Sequence, residues 1–395
     1  MRKAHLPVYP EQPTASLCST ICRGPTPDPP PPLASQTESL AISMKSPYER
    51  NLGQLRHMAE RWDQVGRSHA FDAADAASLR RWRRRLLSRL KTITGFNTMT
   101  ACDFRPVTTE VVDCGDYLRE RVEIHTEPHV VMPIYVLIPK SGTTPYPVML
   151  APHGHCGGGK AATAGCRERA VVAKAITELH YDYGVQFVRA GFITFCPDAR
   201  GFGERQEPGR KDDILAHSCQ WINNMAYPLG QTMTGMLAWD MHRLVSYVQT
   251  RDDCDGKRIG SAGLSGGGHQ TLWTSIFDQR IKCAVVSGYL YGYKESLLEM
   301  HQNCSCNFVP HLYETADMGD IAALIAPRPL LVETGDSDPL NGASGVRNVT
   351  SQLRTTRRAY RIFGAEKQLK HDVFEGGHRW HGVKAIPFMQ KHLHA

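Results

Sequence analysis

The spacing of apolar and polar residues divides the chain into three parts. Residues 1–43 have no regular apolar pattern and contain prolines at 25, 27 and 29–32, so we predict a disordered tail there. In residues 44–100 apolar residues recur at helical spacing, as Leu79, Trp82, Leu86 and Leu90 do. This spacing predicts a helical extension that packs against the main body. Residues 101–395 form that body.

The body begins with strands and continues as an alternation of strands and helices. Stretches rich in β-branched and aromatic residues predict an antiparallel edge at Val107–Val112, Tyr117–Ile124 and Val130–Ile138. Buried strands are predicted at Val148–Ala151, Phe192–Cys196, Arg258–Ala262, Cys283–Val286, Leu330–Glu333 and Ala359–Phe363. Helices are predicted between and after them, at about 167–189, 228–250, 266–278, 342–355 and 381–393. This alternation is typical of an α/β fold with a mostly parallel sheet and helices on both faces. The long stretch at about 287–320 predicts a cap-like insertion.

Composition and charge narrow the function classes. The chain is 41% hydrophobic and 22% charged, as globular proteins are, and no apolar run approaches the roughly 18 residues of a membrane-spanning helix. The net charge of +7 comes from one segment, which contains Arg80, Arg81, Arg83, Arg84, Arg85, Arg89 and Lys91. We interpret this segment as the exposed face of an amphipathic helix, because no nucleic-acid motif accompanies it. We predict no nucleic-acid or membrane partner and leave self-association open.

The twelve cysteines contain no C-x-x-C pair. Cys304-Ser305-Cys306 and His153-Gly154-His155-Cys156 each have a spacing that could hold a metal. Each stretch lacks the second half of a four-ligand site, so we expect no metal and no other cofactor. No apolar stretch typical of a secretion signal is visible near the N-terminus, which predicts a cytoplasmic protein with reduced thiols.

A glycine-flanked serine is the sharpest motif. Gly263-Leu264-Ser265-Gly266-Gly267 directly follows a predicted buried strand and precedes a predicted helix. A tight strand-to-helix turn needs small residues on both sides of the serine, and it exposes the hydroxyl at the edge of the sheet. The backbone N–H of Gly266, at the start of the helix, is placed to bind an oxyanion. These features predict that Ser265 is a nucleophile.

A serine nucleophile needs a histidine base and an acid that orients it. Asp336 and Asp338 follow a predicted strand, and we prefer Asp338, because Asp336 has the position of a turn cap. His378 follows a glycine turn, so we prefer it as the base, with His381 and His371 as alternatives. The order serine, acid, histidine is the order of such sites in open α/β sheets.

Other loops at the strand ends supply candidate binding groups. His153-Gly154 follows a strand, and the next N–H groups, of His155 or Cys156, are candidates for the second oxyanion donor. We predict substrate contacts for His153, Tyr289 and Trp380, with Tyr291, Tyr293 and His301 as further candidates. Asp198 and Arg200 either contact substrate or hold their loop, and we favour the second role.

These motifs together resemble the α/β-hydrolase superfamily. The resemblance covers residues 100–393 and is carried, in order, by His153-Gly154, Asp198-x-Arg200-Gly201-x-Gly203, Gly263-x-Ser265-x-Gly267, Ala326-Pro327-Arg328-Pro329, Asp338-Pro339 and Gly377-His378. Within the superfamily, the segment from Cys304 to Arg328 is similar to esterases related to acetyl xylan esterases, and the chain also resembles dienelactone hydrolases. The resemblance implies a triad of Ser265, Asp338 and His378 and no cofactor.

The implied activity is hydrolysis of a carboxylic ester, because dienelactone hydrolases are expected to use cysteine where this chain has Ser265. Acetyl or other short acyl esters, including those of carbohydrates, are the expected small-molecule substrates. A serine peptidase of the prolyl-oligopeptidase type would use the same triad, but the roughly 100 residues before the sheet are too few for its propeller domain. A hydrolase fold that binds a ligand without catalysis is the other alternative.

Overall fold

A computed structural model describes residues 53–210, 213–301 and 303–394. The tail predicted for residues 1–43 lies outside these residues. The described strands are β1 Val107–Asp113, β2 Tyr117–Glu127, β3 Val130–Pro139, β4 Tyr146–Leu150, β5 Ile193–Pro197, β6 Cys254–Leu264, β7 Ile281–Ser287, β8 Leu330–Gly335 and β9 Leu369–Phe374. They form one sheet in the order β1-β2-β3-β5-β4-β6-β7-β8-β9.

The sheet combines an antiparallel edge with a parallel centre. β1, β2 and β3 pair antiparallel, and β3 pairs antiparallel with β5. From β5 to β9 all neighbouring strands run parallel. The predicted α/β fold class, with its antiparallel N-terminal edge, is therefore confirmed. Because parallel strands are connected by crossovers, the loops that follow β4, β6, β8 and β9 all lie at the same edge of the sheet.

Helices cover both faces of this sheet. They are α1 Leu55–Val65, α2 Ala76–Ile93, α3 Lys160–Thr163, α4 Ala170–Leu179, α5 Tyr183–Arg189, α6 Cys219–Ala226, α7 Met233–Val248, α8 Gly266–Phe277, α9 Leu312–Thr315, α10 Met318–Ala323, α11 Val346–Ile362 and α12 Ala385–Leu393. In β7, Ala284 and Val286 pack with α2, α8 and α11, while Cys283 and Val285 pack with α5 and α12. This alternation follows from the two-residue period of a strand. None of the described helices is long and apolar enough to cross a membrane.

The helical extension is anchored to the body by its amphipathic second helix. Asp75 caps α2, with its side chain accepting a hydrogen bond from the N–H of Ser78, and such a cap contributes about 1 kcal/mol. One face of α2 is buried in the core through Leu79, Trp82, Leu86, Leu90 and Ile93. From the basic face, Arg83 donates hydrogen bonds to the backbone oxygens of Leu324, at 2.8 Å, and Ala326. The interpretation of the basic segment as one face of an amphipathic helix is thus confirmed.

Two predicted elements are wrong in place or extent. Ala359–Phe363 is not a strand, because it lies almost entirely within α11, and the last strand is β9. Ala359 and Tyr360 continue the buried stripe of Val349 and Leu353 at helical spacing, and a short apolar run does not distinguish a helix end from a strand. The helix predicted at 167–189 is two helices, α4 and α5, separated at His180, whose φ of 53° ends α4.

The segment between β7 and β8 has no regular strand among its described residues. It contains a short π-helix at Lys294–Glu299, followed by α9 and α10. Its N-terminal tyrosines are buried, since Tyr289, Tyr291 and Tyr293 are each 4% exposed or less. The aromatic residues at its start therefore pack into the core of the protein, and a cap over the site stays a prediction.

Candidate active site

Ser265 occupies a strained turn between β6 and α8. Its φ of 60° and ψ of −120° are unusual for a residue with a side chain. The backbone N–H of Ser265 donates to the carbonyl oxygen of Ser287, at 2.9 Å, which ties the turn to the end of β7. A Cβ atom on Gly263 would lie 2.5 Å from the carbonyl carbon of Gly267, and one on Gly267 would lie 2.2 Å from the Pro152 oxygen. Both glycines are therefore required by close backbone contacts.

His378 and Asp338 form a direct pair beside this turn. The Nδ1 atom of His378 lies 2.7 Å from Oδ2 of Asp338, and the side chains are 11% and 1% exposed. The other carboxylate oxygen, Oδ1, accepts a hydrogen bond from the N–H of Leu340 at 2.9 Å. Asp336 instead accepts hydrogen bonds from the N–H of Gly376 and the hydroxyl of Ser337. The geometry thus favours Asp338 as the histidine partner and gives Asp336 the role of a turn cap.

The surroundings of His378 favour its protonated form. Burial lowers the pKa of His378, but the negative charge and hydrogen bond of Asp338 together raise it further, so the pKa lies above its usual value. A Cβ atom on Gly288, where φ is 57°, would lie 3.0 Å from Cε1 of His378. Gly288 directly follows Ser287, whose carbonyl holds the N–H of Ser265. The imidazole therefore lies against Gly288, the residue that follows the strand end to which Ser265 is bound.

The loop after β4 lies against the serine turn. Tyr183 donates to the Pro152 oxygen at 2.5 Å, Tyr181 donates to the His155 oxygen at 2.9 Å, and these two bonds hold both ends of the loop. A Cβ atom on Gly154 would lie 3.0 Å from the backbone nitrogen of Gly266. The two segments predicted to supply the oxyanion donors, at His155 and Gly266, are thus in contact. Their function as an oxyanion hole stays a prediction.

The three predicted substrate contacts lie in buried positions. His153 is 1% exposed, its Nδ1 lies 2.7 Å from the Gly154 oxygen, and its Nε2 accepts the N–H of Ala199. Trp380 is fully buried, packs on Tyr183, and donates its indole N–H to another side chain in the core. Tyr289, 4% exposed, packs against the ring of His269. All three side chains therefore pack within the protein, and their contact with substrate stays a prediction.

Asp198 and Arg200 hold their loop, as the sequence favoured. The carboxylate of Asp198 is fully buried and accepts from both the backbone N–H and the Nζ of Lys160, each at 2.7 Å. Arg200 makes two hydrogen bonds to Asp240 and one to Glu127. These contacts within the protein support the loop-holding role for both residues.

The sequence analysis treated the His155 and Cys304 stretches separately as possible metal sites, and the fold brings together two groups of potential metal ligands. His155, His217, Cys219 and Cys304 bring one ligand atom each to within 4.8 Å of one another, next to the loop after β4. The His217-Ser218-Cys219 stretch was the available signal. A second group, formed by Glu333, Asp372 and His381, lies behind the His378 loop. In this second group the ammonium group of Lys384 pairs with Asp372. A protein cation therefore occupies one of the oxygen ligands that a metal ion would use.

Comparison with known proteins gives the same picture of the fold. A sequence profile described as the abhydrolase family matches residues 62–375. The hydrolase named YtaP from Bacillus subtilis (strain 168) is 28% identical over 302 residues, which are 74% of this chain and 94% of that protein. A structure from Bacteroides fragilis titled as an acetyl xylan esterase has a TM-score of 0.68 at 20% identity and covers 82% of each chain. A glucuronoyl esterase from Solibacter usitatus has a TM-score of 0.60 at 16% identity and covers 82% of this chain and 96% of its own.

Proposed function

Because the chain belongs to the abhydrolase family, we propose that it is a serine hydrolase that cleaves carboxylic esters through an acyl-enzyme. The observation that carries the proposal is the 2.7 Å contact between His378 and Asp338, beside a serine in a strained turn. The names of the similar proteins, a hydrolase, an acetyl xylan esterase and a glucuronoyl esterase, support ester hydrolysis as the reaction class.

In the proposed reaction the hydroxyl oxygen of Ser265 attacks the ester carbonyl carbon. The free Nε2 of His378 takes the serine proton, while Asp338 accepts the Nδ1 hydrogen bond and stabilises the imidazolium. The backbone N–H groups of Gly266 and His155 bind the oxyanion, and loss of one such donor typically costs about 2.7–4 kcal/mol in the transition state. The alcohol then leaves with the proton held by His378, and a water molecule, activated by the same imidazole, releases the acid.

For the substrate we propose acetyl or other short acyl esters, including esters of carbohydrates. The support is the resemblance of the motifs and the names of the similar structures. Neutral esters fit the charge distribution of the site, because Asp338, Asp198 and Arg200 already have partners. Near the serine, the loops after β4 and β6 supply backbone N–H groups and imidazoles, which suit a neutral ester.

The test combines active-site labelling with turnover. The full chain is treated with a fluorophosphonate probe, its mass and labelled peptide are determined, and hydrolysis of p-nitrophenyl acetate is measured in parallel. We expect one adduct, on Ser265, and acetate release, with both lost in Ser265→Ala and both retained in Ser351→Ala, a substitution of an exposed serine in α11. Labelling of Ser265→Ala would contradict the proposal. An adduct with cleavage of aminoacyl amides but not esters would favour a peptidase, and no adduct would favour a binding protein.

A further inference from the structure

Two histidines and two cysteines from three separate segments meet beside the loop after β4. His155 lies in that loop, His217 and Cys219 lie at the start of α6, and Cys304 lies in the segment between β7 and β8. One ligand atom from each side chain lies within 4.8 Å of the other three. On the sequence, the His155 stretch and the Cys304 stretch each lacked the second half of a four-ligand site. In the fold they complete one another.

The backbone around this group is held by specific contacts. Asn223 in α6 donates its side-chain amide to the Ser305 oxygen at 2.6 Å, and Thr234 in α7 donates to the Cys306 oxygen at 2.8 Å. The oxygen of His155 accepts the hydroxyl hydrogen bond of Tyr181. Each of these bonds fixes a segment that carries a ligand, so the four side chains converge on a framework that is already in place.

The orientation of the imidazoles also fits a shared ligand. The Nε2 atom of His155 faces the thiols and lies 3.6 Å from Sγ of Cys306. The rings of His155 and His217 are 5.0 Å apart and nearly perpendicular, at 81°. The Nδ1 atom of His217 is shielded from solvent and has no hydrogen-bond partner among the described residues. Buried polar atoms without partners are rare in native proteins and call for a ligand or another explanation.

We propose that His155, His217, Cys219 and Cys304 bind a zinc ion. Two thiolates and two imidazoles are the ligand set of a tetrahedral Cys2His2 zinc site, whereas magnesium and calcium require oxygen ligands. With bonds of about 2.0–2.3 Å, the ligand atoms of such a site lie about 3.3–3.8 Å apart. The present spacing needs a contraction of no more than about 1.5 Å, which side-chain rotation supplies. Cys306 lies against the group as a third thiol that can donate a hydrogen bond to a zinc-bound sulfur.

Zinc binding would fix which ring nitrogen of His155 carries the proton. A metal on Nε2 leaves the proton on Nδ1, and Nδ1 is the atom that faces the serine turn, because a Cβ atom on Gly266 would lie 3.2 Å from it. The ion would thus hold His155 as a hydrogen-bond donor on the side where the ester oxygen becomes negative. This consequence rests on the proposed esterase activity, whereas zinc binding itself does not.

The test measures metal content directly. The full chain is produced with a tag that does not bind metals, purified without chelator, and its zinc is measured by inductively coupled plasma mass spectrometry. We expect about one zinc ion per chain. Cys219→Ser and Cys304→Ser should each lower the zinc content to background, while Cys114→Ser, which changes a free cysteine outside the group, should retain it. Folding of each variant is checked by circular dichroism.

A second measurement on the wild-type protein does not depend on whether Cys219→Ser and Cys304→Ser fold. The wild-type protein, stripped and reloaded with cobalt, should show the visible bands of tetrahedral cobalt and thiolate-to-cobalt charge transfer in the near ultraviolet. Chelation should also lower the midpoint of thermal unfolding, because metal binding adds to folding stability. Reduced thiols without bound metal would overturn the proposal, as would a disulfide between any two of Cys219, Cys304 and Cys306. Retention of zinc in Cys304→Ser with loss in Cys306→Ser would overturn the assignment of Cys304.

Discussion

Two of the aspartate–histidine pairs in the protein use histidines of the loop after β9, and only one of them has the surroundings expected of a catalytic pair. In the first, Asp338 contacts His378 at 2.7 Å and its other oxygen accepts one backbone N–H. In the second, Asp372 contacts His381 at 3.1 Å, but its other oxygen pairs with the ammonium group of Lys384. Among the described residues, Asp338 therefore has one ion-pair partner, whereas Asp372 has two.

The two imidazoles also differ in what their opposite sides meet. The ring of His378 lies next to Gly288 and the strand end that holds Ser265. The ring of His381 stacks on Phe374, with centroids 4.5 Å apart and planes 20° from parallel. Each histidine thus has its own aspartate partner. The two differ in the neighbour on the other side of the ring, and that neighbour decides which histidine can accept a proton from a nucleophile.

The strongest test of this difference replaces each histidine in turn. We expect His378→Ala to lower kcat for p-nitrophenyl acetate by about 10⁶-fold, because His378 is the imidazole paired with Asp338 and triad members act as a unit. His381→Ala should change kcat less than about tenfold, since its ring contacts Phe374 and Asp372. Steady-state kinetics of both variants, with circular dichroism as the folding control, decide the question. A comparable loss in the two variants would remove the distinction between the pairs.

Replacing Asp338 should lower activity as well, but by less than replacing His378 does. Asp338→Asn should lower kcat by about 10⁴-fold, because the amide cannot stabilise the imidazolium and favours the wrong tautomer. It should also move the pKa of His378 from above 6.5 to below it, because only the effect of burial then remains. NMR titration of the His378 ring and the pH dependence of kcat/KM measure both effects.

In the wild type, His378 must be neutral to accept the serine proton, so kcat/KM should fall on acidification with a midpoint above pH 6.5. The raised pKa also means that this ion pair stabilises the folded state at low pH and that the contribution is lost as the pH rises through the folded-state value. Asp336→Asn, at a turn cap, is the control that should leave the midpoint unchanged. An equal shift in both variants would count against Asp338.

The smallest expected effect concerns Glu333, which lies beside the second pair. Burial raises the pKa of Glu333 to about 7, and one of its carboxylate oxygens has no partner among the described residues. The folded protein holds this proton more tightly than the unfolded chain, so wild-type stability should fall as the pH rises from about 4.5 to about 7. When Glu333 is fully ionised, the loss in free energy of unfolding is roughly 3 kcal/mol.

Glu333→Gln should abolish this dependence, because the amide oxygen can still accept the N–H of Gly382 and carries no charge. Its unfolding midpoint should exceed that of the wild type at pH 8 and match it at pH 5. Thermal unfolding followed by circular dichroism across this range measures the difference. A parallel pH dependence in the two proteins would show that Glu333 does not titrate there.

The residues of the candidate triad could be picked out from the sequence because their signals are local. Ser265 is marked by glycines that its own turn requires, and His378 by the glycine turn before it. The preference for Asp338 over Asp336 rested on a position in a turn, and the structure pairs Asp338 with the histidine. What decides such a choice is the path of the loop after β9, which no motif near the aspartates encodes.

Other residues depended on distant packing and could not be placed from the sequence. Trp380 was predicted as a substrate contact, and nothing in the sequence indicates that its ring packs against Tyr183 and Phe187 in α5. The strand predicted at Ala359–Phe363 failed because its apolar pattern fits the end of a helix equally well. The His155 and Cys304 group was divided between segments about 150 residues apart, so each half looked incomplete. Sequence spacing detects ligands that share a loop and misses those that the fold brings together.

The position of α2 in the chain has a consequence for synthesis on the ribosome. Arg83 donates to Leu324 across a separation of 241 residues, so the buried face of α2 meets its partners only after most of the chain has been made. At about 5–20 residues per second, this interval lasts roughly 12–50 s. Until then Leu79, Trp82 and Leu86 lack the part of their core that the segment around Leu324 supplies. The seven positive charges of the same helix repel a second nascent copy during this wait and oppose premature association.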